Sequence, residues 1–504
     1  MKSAVKIFGA ADAIQKDVER LLDAQNKSYK QLSLNEKLTI FQHTAVERAS
    51  QSMGIEFHAL RPYITDFMSF GASIYEHHHT MDVVKRASEL GLTDTDLHTV
   101  DLGGASLPAA LELAQRICAD EARLVLIAGS EIPRGGDPSI KYYREVSDTL
   151  LHPQKELHTH ANLISLYALF ADRMMFESNI TVSDIERITE HYRSKATADE
   201  RAAVFQKPLK AGELQRYLAS PYATAMIAVA TDHAIAFFAA NQNYLNEVQQ
   251  KLSSLKIENS LYIHSVGVSF VDKYVTSRSN FTSPAQSAAA RAFARSTLTP
   301  RHVDYAWVYD CFTLMLVKQA ADYFNLPAQT VVKTLQEGYI DVDGKKIHVN
   351  EQGGILNTQA AISLSAATGL IDIFQHAQKN NDANTFLFGG NGGLDTVNAV
   401  AVLTREPVPI NQNTIPPQPK KTAQPFNFTE NQNATLYAAT LVRFNPGSDV
   451  PFVLGAFYDE DGSLFLARMT QKDGSPLQTT KNLVRDKTRV QISLKTGVPV
   501  ARLY

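Results

Sequence analysis

The sequence predicts an α/β protein with a parallel sheet covered by helices, followed by a small all-β domain. Across residues 1–405, short apolar runs that end in glycines alternate with longer amphipathic segments, which is the pattern of strands and helices in parallel sheets. Residues 406–434 hold six of the 20 prolines and many Asn and Gln residues, so they predict a linker. Residues 435–504 contain strand-like runs around an Asp461-Gly462 turn, which predicts a small barrel-like, OB-like domain.

Two strands and one helix are predicted early in the chain. LHTVDLGG at 97–104 indicates a strand that ends in glycines, and RLVLIAGS at 123–130 indicates a buried strand. Between them, SLPAALELAQRICADEA at 106–122 has helical periodicity, with Ser106 as its expected N-cap and Pro108 in the first turn. This strand–helix–strand order predicts a parallel sheet.

The same order of elements returns late in the chain. VDYAWVYDCF at 303–312 predicts a strand, and TLMLVKQAADYF at 313–324 predicts a helix. Residues 353–378 predict a glycine turn that enters a helix, and 385–406 predict a hairpin with a glycine-rich turn. The likeness between RLVLIAGS and TFLFGGNGG suggests two related halves. We therefore predict one half at 1–250, with a partly helical insertion at 131–235, and a second half at 251–405.

Composition and charge exclude several classes of protein. The 504 residues are 44% hydrophobic and carry 49 basic against 52 acidic side chains, a formal net charge of -3. A nucleic-acid or membrane-surface protein would show a basic excess. Two cysteines make neither a disulfide framework nor a CxxC zinc site. Because no signal peptide and no apolar stretch of about 20 residues is present, we expect a cytoplasmic protein without a membrane span, a metal or another resident cofactor.

Several segments, in this order, resemble the thiolase superfamily. They are VDLGGASLPAALELAQRICADEARLVLIAGSE, SLYALFADRMMFESNITVSDIERI, SPYATAMIAVATDHAIAFFAA, NFTSPAQSAAARAFARSTLTPRHVDYAWVYDCF, VNEQGGILNTQAAISLSAATGL and FLFGGNGGLDTVNAVAVL. Within the superfamily, the chain is similar to thiolase-like proteins related to the sterol-carrier-protein thiolases and to acetyl-CoA acetyltransferases. The resemblance covers about residues 1–405, and the β-domain after the linker matches a domain appended to some thiolase-like proteins.

The resemblance implies a fold, a substrate class and a partner. The fold would consist of two related βαβαβαββ halves in five layers, with a helical loop insertion. The substrate class would be acyl-CoA or a related thioester, with CoA as a ligand rather than a resident cofactor, and the chain would pair as a homodimer. Thiolases act through an acylated cysteine, a histidine base and a second cysteine that moves a proton on the substrate carbon.

This sequence departs from that catalytic set at each position. The nucleophile position falls on Gly104, or on Gly103 with a shift of one residue, and neither has a side chain to acylate. The histidine position falls on Ala360 or Ser363. The second cysteine would lie just before GGNGG, and the residues there are Phe386, Leu387 and Phe388. We therefore expect ordinary 3-ketoacyl-CoA thiolysis or condensation to be absent.

Other residues at the resembling positions are candidates for chemistry or binding. The sterol-carrier type has His-Asp-Cys-Phe where this chain has Tyr309-Asp310-Cys311-Phe312, so Asp310 and Tyr309 are candidate bases. Cys311 is a candidate nucleophile, although Asp310 and the apolar flanks should raise its pKa, and a buried core cysteine is the alternative. Candidate substrate-binding residues are Gly104, Ser106, Gly353, Gly354, Gly390, Gly392, His158 and His160. The glycines alternatively serve only as tight turns.

Three further features favour a structural explanation. Cys118 lies in the middle of a predicted apolar helix, as a core cysteine does. The His77-His78-His79 run would fan out on a helix or alternate on a strand, so a single metal would not take all three. Asp232 and His233 would face opposite ways on a strand and could not act on one another.

Three functions follow from these observations. The first is a thiolase-like protein that binds acyl-CoA thioesters without Claisen chemistry. The second is an acyltransferase of altered mechanism, which works without a covalent intermediate in the glycine-lined pocket. The third is a non-catalytic scaffold that binds a protein partner through residues 435–504.

Overall fold

The computed structural model of the chain describes residues 4–70, 82–119, 122–133, 147–153, 155–278, 280–409, 432–443, 450–473, 475–495 and 498–503. Its helices are α1 (Gln15–Asp23), α2 (Leu34–Gln51), α3 (Phe57–Leu60), α4 (Asp82–Glu89), α5 (Ser106–Cys118), α6 (Leu163–Ser178), α7 (Val182–Ala196), α8 (Gln242–Lys251), α9 (Ala285–Ala294), α10 (Thr313–Phe324), α11 (Ala328–Leu335), α12 (Gly354–Asn357) and α13 (Ala367–Lys379). None of the described helices is long and apolar enough to span a membrane.

The strands form one large and one smaller sheet. They are β1 (Val5–Ile14), β2 (Asp66–Phe70), β3 (Asp96–Val100), β4 (Leu124–Glu131), β5 (Tyr217–Ala219), β6 (Tyr222–Ala223), β7 (His233–Asn241), β8 (Ser260–Phe270), β9 (Tyr305–Trp307), β10 (Tyr339–Val342), β11 (Lys345–Val349), β12 (Thr385–Gly392), β13 (Val397–Thr404), β14 (Asn433–Val442), β15 (Phe452–Tyr458), β16 (Leu464–Thr470), β17 (Arg489–Lys495) and β18 (Val498–Leu503).

The large sheet repeats one topology twice. Its order is β10-β11-β9-β12-β13-β8-β1-β7-β4-β2-β3, so the first half reads β3-β2-β4-β7-β1 and the second reads β11-β9-β12-β13-β8. In each half, three parallel strands are followed by two antiparallel pairings. β4 and β12 take equivalent places, which agrees with the likeness of RLVLIAGS to TFLFGGNGG. The halves meet through a short β1–β8 pairing, from Lys6–Tyr262 to Phe8–Ser260.

Helices cover both faces of each half and fill the space between them. α5 contacts strands of both halves, including β7 and β8, and α13 packs beside it against β1 and β9. α2 lies on the outer face of the first half, and α9 and α10 cover the outer face of the second. This arrangement confirms the predicted five-layered fold. The predicted helix at 313–324 coincides with α10.

Two predicted elements are shorter in the structure. The strand expected at 303–312 pairs within the large sheet only over β9, because the side chain of Asn350 takes the place of a neighbouring strand at Val308. Its Oδ1 accepts from Val308 N–H at 2.8 Å, and its Nδ2 donates to Val308 O at 2.8 Å. The helix expected at 353–378 is broken into α12, a 3₁₀ turn at Ile362–Leu364, and α13.

The first turn of α5 also differs from its prediction. Ala105, not Ser106, is the N-cap residue, and Ser106 begins the helix. The Ser106 hydroxyl accepts a hydrogen bond from Leu102 N–H at 2.8 Å. Ser106 therefore closes the Gly103-Gly104 turn instead of capping the helix. In the inserted region, by contrast, α6 begins with a reciprocal Asn162–Ser165 cap.

The C-terminal strands close into a five-stranded barrel. Their order is β15-β16-β18-β17-β14, and β14 also pairs with β15, which closes the barrel. β16 and β18 run parallel, and the other pairs are antiparallel. The barrel confirms the predicted small, barrel-like all-β domain. It is not separate from the rest of the chain, because β14 also pairs with β5 of the insertion.

Candidate functional site

A cavity of about 360 Å³ lies where the two halves and the insertion meet. The first half contributes Asp101, Gly103 and Gly104 to its wall. The insertion contributes Leu163, Ile164, Tyr167, Ile227 and Ala228, among others, and the second half contributes Tyr309, Cys311, Phe312, Ile355, Ala360, Ile362, Ser363, Ser365, Asn391 and Gly393. The wall is mostly apolar, with a few hydroxyl, amide and carboxyl groups. A mostly apolar wall with a few polar groups, at about this volume, is typical of sites that bind small molecules.

Gly104 lies in this wall with no room for a side chain. A Cβ atom at this position would lie 2.4 Å from the backbone oxygen of Asn391, 2.5 Å from Cε2 of Tyr309 and 2.6 Å from the Tyr309 hydroxyl. Contacts below 3.0 Å are not tolerated without movement of the neighbours. The ring of Tyr309 therefore takes up the space that a nucleophile at position 104 would need.

The histidine and second-cysteine positions carry neither a histidine nor a cysteine. Ala360 and Ser363 both line the cavity. Phe386, Leu387 and Phe388 are fully buried in β12 and do not reach it. Among the described residues that line the cavity there is no histidine. The site as described thus contains no Cys/His/Cys set.

Cys311 is the cysteine that lines the cavity, and it is half-buried. Burial raises the pKa of its thiol well above the usual range, and the negative charge of Asp310 raises the pKa further, while a hydrogen bond with Tyr167 opposes them. This agrees in direction with the sequence analysis. A protonated thiol is a poor nucleophile. Cys118 is buried in α5, as expected.

Tyr309 and Asp310 face in different directions. Tyr309 lines the cavity, and burial raises the pKa of its phenol well above the usual range, so the phenol is neutral. Asp310 is completely buried behind the wall. Its Oδ1 accepts from Ile355 N–H at 2.9 Å, and burial raises the pKa of its carboxyl to about 8. Asp310 therefore lies too far behind the cavity wall to act as a base on a ligand in the cavity. Its side chain instead stabilises the start of α12.

Glycine turns surround the site, but only some of them line it. Gly103 and Gly104 line the cavity. Gly390 and Gly392 do not, and they instead allow β12 to lie close to the backbone of residues 102–104. A Cβ on Gly390 would lie 2.5 Å from Gly104 O, and one on Gly392 would lie 1.8 Å from Leu102 O. These two glycines thus serve backbone packing rather than ligand contact.

Gly353 and Gly354 likewise lie outside the lining of the cavity. Gly353 has a φ of +103° and packs against Ala196, and a Cβ on Gly354 would lie 1.9 Å from Oδ2 of Asp310. The pair therefore makes room for the Asp310 carboxyl, in agreement with the tight-turn alternative.

Ser106, His158 and His160 are not brought to the cavity. Ser106 is completely buried at the start of α5. His158 and His160 are exposed on a short 3₁₀ turn that packs against the barrel. Their proposed contact with substrate has no support in the geometry.

Glu131 is a residue that the sequence analysis missed. It ends β4, and its side chain is 1% exposed. Its Oε2 accepts from Leu364 N–H at 3.0 Å, and burial raises the pKa of the carboxyl to about 8. It holds the turn that carries Ile362 and Ser363 into the cavity wall. The signal in the sequence is an acid at the end of a run of buried strand residues.

Asn391 is fixed in the cavity wall by a buried carboxylate. Oδ1 of Asp395 accepts from the side-chain amides of Gln319 at 2.9 Å, Asn391 at 3.0 Å and Asn398 at 2.9 Å. Since a carboxylate only accepts hydrogen bonds, these contacts fix the orientation of each amide. The spacing of these residues in the sequence gave no sign of the cluster.

The other features singled out in the sequence lie apart from the cavity. Asp232 accepts from the Tyr29 hydroxyl at 2.6 Å, while His233 pairs with Asp12 at 3.0 Å, so the two neighbours act on different partners. The His77-His78-His79 run lies outside the described residues. Within the described part of the chain, no group of three or more His, Cys, Asp or Glu residues is arranged to hold a metal.

Comparisons with known proteins agree with this architecture. Residues 267–405 match the family described as "Thiolase C-terminal domain-like", and no curated protein matches the sequence. A monomeric SCP2-thiolase like protein type 1 from Mycobacterium smegmatis is similar over 99% of both chains, with a TM-score of 0.69 and 16% identity.

Two further solved structures are similar over 80% of this chain. The Ltp2-ChsH2(DUF35) aldolase has a TM-score of 0.61 and 18% identity over 97% of its chain. Human mitochondrial 3-ketoacyl-CoA thiolase has a TM-score of 0.57 and 13% identity over 98% of its chain. At these identities the likeness shows the fold, and it confirms the fold that the sequence resemblance implied.

Proposed function

We propose that this chain, which has the thiolase fold with an added C-terminal barrel, binds an acyl-CoA or related thioester without forming an acyl-enzyme. The contact between Gly104 and Tyr309 carries the proposal. The nucleophile position lacks a side chain, and the ring of Tyr309 lies in the space where one would go. The thiol of Cys311 does not replace it, because its pKa is raised.

The cavity supports the binding part of the proposal. Its wall of Leu163, Ile164 and Phe312 suits an acyl chain. α5 begins immediately behind Gly104, and the positive end of its dipole favours a polarised thioester oxygen there.

The proposal is tested by titration with acetoacetyl-CoA in the presence of free CoA. Calorimetry is combined with fluorescence of Trp307, the single tryptophan of the chain, which is buried and contacts Tyr309 edge-on with ring centroids 6.3 Å apart. We expect a saturating one-site isotherm and a matching fluorescence change. A continuing heat signal, which indicates turnover, would contradict the absence of acyl transfer. A flat trace would count against this thioester as the ligand.

A pair of variants separates binding in the cavity from binding elsewhere. Ala228→Phe fills the cavity, since Ala228 lines it, and we expect it to abolish the isotherm. Ala198→Phe places the same ring at an exposed position outside the lining, and we expect it to bind as the native chain does. Equal binding by both variants would move the ligand to another surface.

Carbon–carbon bond cleavage of a 3-hydroxyacyl thioester is a second candidate, favoured by the neutral phenol of Tyr309 in the cavity wall. The same fold occurs in an aldolase. In such a step the substrate hydroxyl passes its proton to the phenol oxygen of Tyr309 while the phenol passes its own proton to Cα. The bond between Cα and Cβ breaks with its electron pair going to Cα, and an aldehyde or ketone leaves. Tyr309 is neutral before and after this proton relay.

Release of an aldehyde or ketone from a 3-hydroxyacyl-CoA tests this candidate. We expect Tyr309→Phe to lose the release and to keep thioester binding. If the native chain releases no aldehyde or ketone, the cleavage proposal fails and only the binding proposal remains. An acyltransferase of altered mechanism is the remaining enzymatic proposal, and transfer of labelled acetyl to CoA would identify it.

The partner predictions also remain proposals. The homodimer implied by the resemblance would pair through a sheet edge, and β3 is an outer strand of the large sheet with exposed residues. The Mycobacterium smegmatis protein of the same fold is described as monomeric. Light scattering of the purified chain distinguishes the two states. A scaffold role for residues 435–504 would require a protein partner in pull-downs.

A further inference from the structure

We propose that the C-terminal barrel sets the shape of the cavity, because it holds the middle of the helix whose first residues form part of the cavity wall. The inference rests on the proposed function only for its ligand. The residues that connect the barrel to α6 are Asp172 and Arg485, which we name the barrel clamp. They act as positioning residues, since neither of them lines the cavity.

The barrel clamp combines an ion pair with a backbone contact. Nε and Nη2 of Arg485 donate to the two carboxylate oxygens of Asp172, with Nε to Oδ2 at 2.9 Å. The same Oδ2 accepts from Ala439 N–H of β14 at 3.0 Å. Asp172 and Arg485 are 15% and 17% exposed, so water competes weakly for this contact. Bidentate pairs of this kind fix geometry as well as adding stability.

A second charged contact lies beside the clamp. Arg173 donates to Asp486 of the barrel at 2.8 Å, and its guanidinium lies over the ring of Tyr437 at 4.1 Å from the centroid. Two consecutive residues of α6 are therefore bound to two consecutive residues of the barrel loop at 485–486.

α6 carries this attachment to the cavity. Its 16 residues form one uninterrupted helix, and Leu163, Ile164 and Tyr167 near its start line the cavity. The Tyr167 hydroxyl donates to Gly393 O on the opposite wall at 2.7 Å. Because a helix transmits a displacement along its axis with little bending, movement at Asp172 shifts this wall.

A continuous chain of aromatic rings runs the same way. Successive ring centroids lie 4.4 to 5.9 Å apart. From barrel to cavity, the rings are Tyr458, Tyr437, Phe281, Phe170, Tyr167 and Phe312. The last two line the cavity, and packed rings of this kind move together because the interior is dense.

A second segment joins the barrel to the cavity independently of α6. Val442 of β14 pairs with Ala219 of β5, and Arg443 N–H donates to Leu218 O at 2.8 Å. The chain then continues from β5 to Ile227 and Ala228, which line the cavity. The barrel thus contacts two of the inserted segments that contribute to the cavity wall.

The test uses the full chain with Asp172→Asn, which keeps the shape of the side chain and removes its charge. Hydrogen–deuterium exchange of peptides over 163–170 measures the wall, with β4 peptides as an internal reference. We expect exchange over 163–170 to rise about tenfold, the effect of losing roughly 1.4 kcal/mol of local stability. We expect β4 to be unchanged. A merely structural role of the clamp would raise exchange in both regions together.

Two further variants are measured, one that breaks the clamp from the barrel side and one that serves as a control. Arg485→Gln breaks the same clamp from the barrel side and should reproduce the change. Arg116→Ala is the matched control, since Arg116 pairs with Glu112 within α5, another helix that begins at the cavity, and it lies away from the barrel. Unchanged exchange over 163–170 in both clamp variants would overturn the inference.

Ligand affinity gives a second readout. If the native chain binds acetoacetyl-CoA, we expect the clamp variants to bind it about tenfold more weakly and Arg116→Ala to bind it normally. If the native chain binds none, the proposed function fails for this thioester while the exchange measurement still decides the role of the barrel. Native affinity in both clamp variants would contradict the inference.

Discussion

The hydroxyl of Tyr309 lies 2.6 Å from the position that a Cβ atom on Gly104 would occupy. This relationship joins two departures from the thiolase pattern that are 205 positions apart along the chain (309 minus 104). The absence of a side chain at position 104 and the phenol ring of Tyr309, where the sterol-carrier type has a histidine, form a single packing arrangement. A side chain at position 104 therefore clashes as long as Tyr309 is present.

Gly104→Cys should therefore fail to restore a nucleophile. The added Cβ meets Tyr309 and the backbone oxygen of Asn391, and we expect a loss of about 1–3 kcal/mol in the free energy of unfolding, as for other overpacked sites. Intact mass spectrometry with acetyl-CoA should show no acyl adduct at position 104. In the double variant Gly104→Cys/Tyr309→Ala the contact with Asn391 remains, so we expect only partial recovery of stability. A stable acyl adduct in either variant would refute this account.

Neither cysteine should react quickly in the folded protein. Burial raises the pKa of Cys118 to about 12 and that of Cys311 still further, so both are thiols at pH 8. Titration with a thiol reagent should find both cysteines within minutes in denaturant and neither in buffer. Cys311→Ser should change thioester affinity less than about threefold, the scatter expected when no essential contact is lost. Rapid labelling of Cys311 in buffer would show a thiolate.

The carboxyl of Asp310 should make the chain less stable as the pH rises. Its pKa is about 8 in the folded state, because burial raises it from the ordinary value of 3.8 for an aspartate. Between these values the folded protein keeps a proton that the unfolded chain has lost, so the free energy of unfolding falls from about pH 4 up to about pH 8. Glu131, with a pKa of about 8, adds a slope of the same sign.

Asp310→Asn removes the contribution of Asp310 to the pH dependence of the free energy of unfolding. Denaturant unfolding at pH 5.5 and pH 8 should show a smaller difference for the variant than for the native chain. Asp184→Asn is a suitable control, since Asp184 lies on the surface and its pKa is lowered. An unchanged difference in Asp310→Asn would mean that the carboxyl is ionised in the folded protein.

Arg201 should contribute to stability through two buried carboxylates. It bonds Asp12 at 2.6 Å and Asp17 at 2.9 Å. Burial acts to raise the pKa of Asp12, but the hydrogen bond from His233 and the charge of Arg201 outweigh it and lower the pKa to about 2. Removing one partner of a buried ion pair typically lowers the free energy of unfolding by about 3–5 kcal/mol. For Arg201→Ala we expect a loss at the lower end of this range, because the Arg201 side chain is 28% exposed and water partly replaces it.

The stabilisation from Asp12 is present above pH ~4 and is lost as the pH falls towards 2. Arg201→Ala should therefore lose less stability than the native chain over that range, as measured by denaturant unfolding. Arg187→Ala removes an exposed pair with Asp184 and should cost less than about 1 kcal/mol. Equal losses in the two variants would contradict a special role of Arg201.

The local elements of the fold could be predicted because their signals are local. α10 follows from its apolar periodicity and the β12–β13 hairpin from its glycines, and the resemblance extended these elements to the complete fold. The early end of β9 could not be predicted from the sequence. It depends on hydrogen bonds from the side chain of Asn350 to the backbone of Val308, and these residues lie 42 positions apart.

In the candidate site, the sequence indicated some of the residues that line the cavity but not how their side chains are oriented. Gly103, Gly104, Tyr309 and Cys311 do line the cavity, but nothing in the sequence indicates that Tyr309 turns towards it and Asp310 away from it. Likewise, the attachment of Arg485 to Asp172 joins charged residues 313 positions apart. Contacts of that length depend on the packed fold and have no local pattern.

Segments far apart in the sequence complete both the large sheet and the attachment of α6, and this affects folding during synthesis on the ribosome. β1 acquires its neighbour β7 only after residue 241 has been made, and α6 is bound by a loop at residues 485–486. Domains generally fold from the N-terminus as they emerge, yet α6 receives its contacts with Arg485 and Asp486 only after those residues have been made. The face of α6 that the barrel covers stays open until then, so slow translation over residues 406–486 should favour chaperone capture, and termination within this range should yield aggregation-prone products.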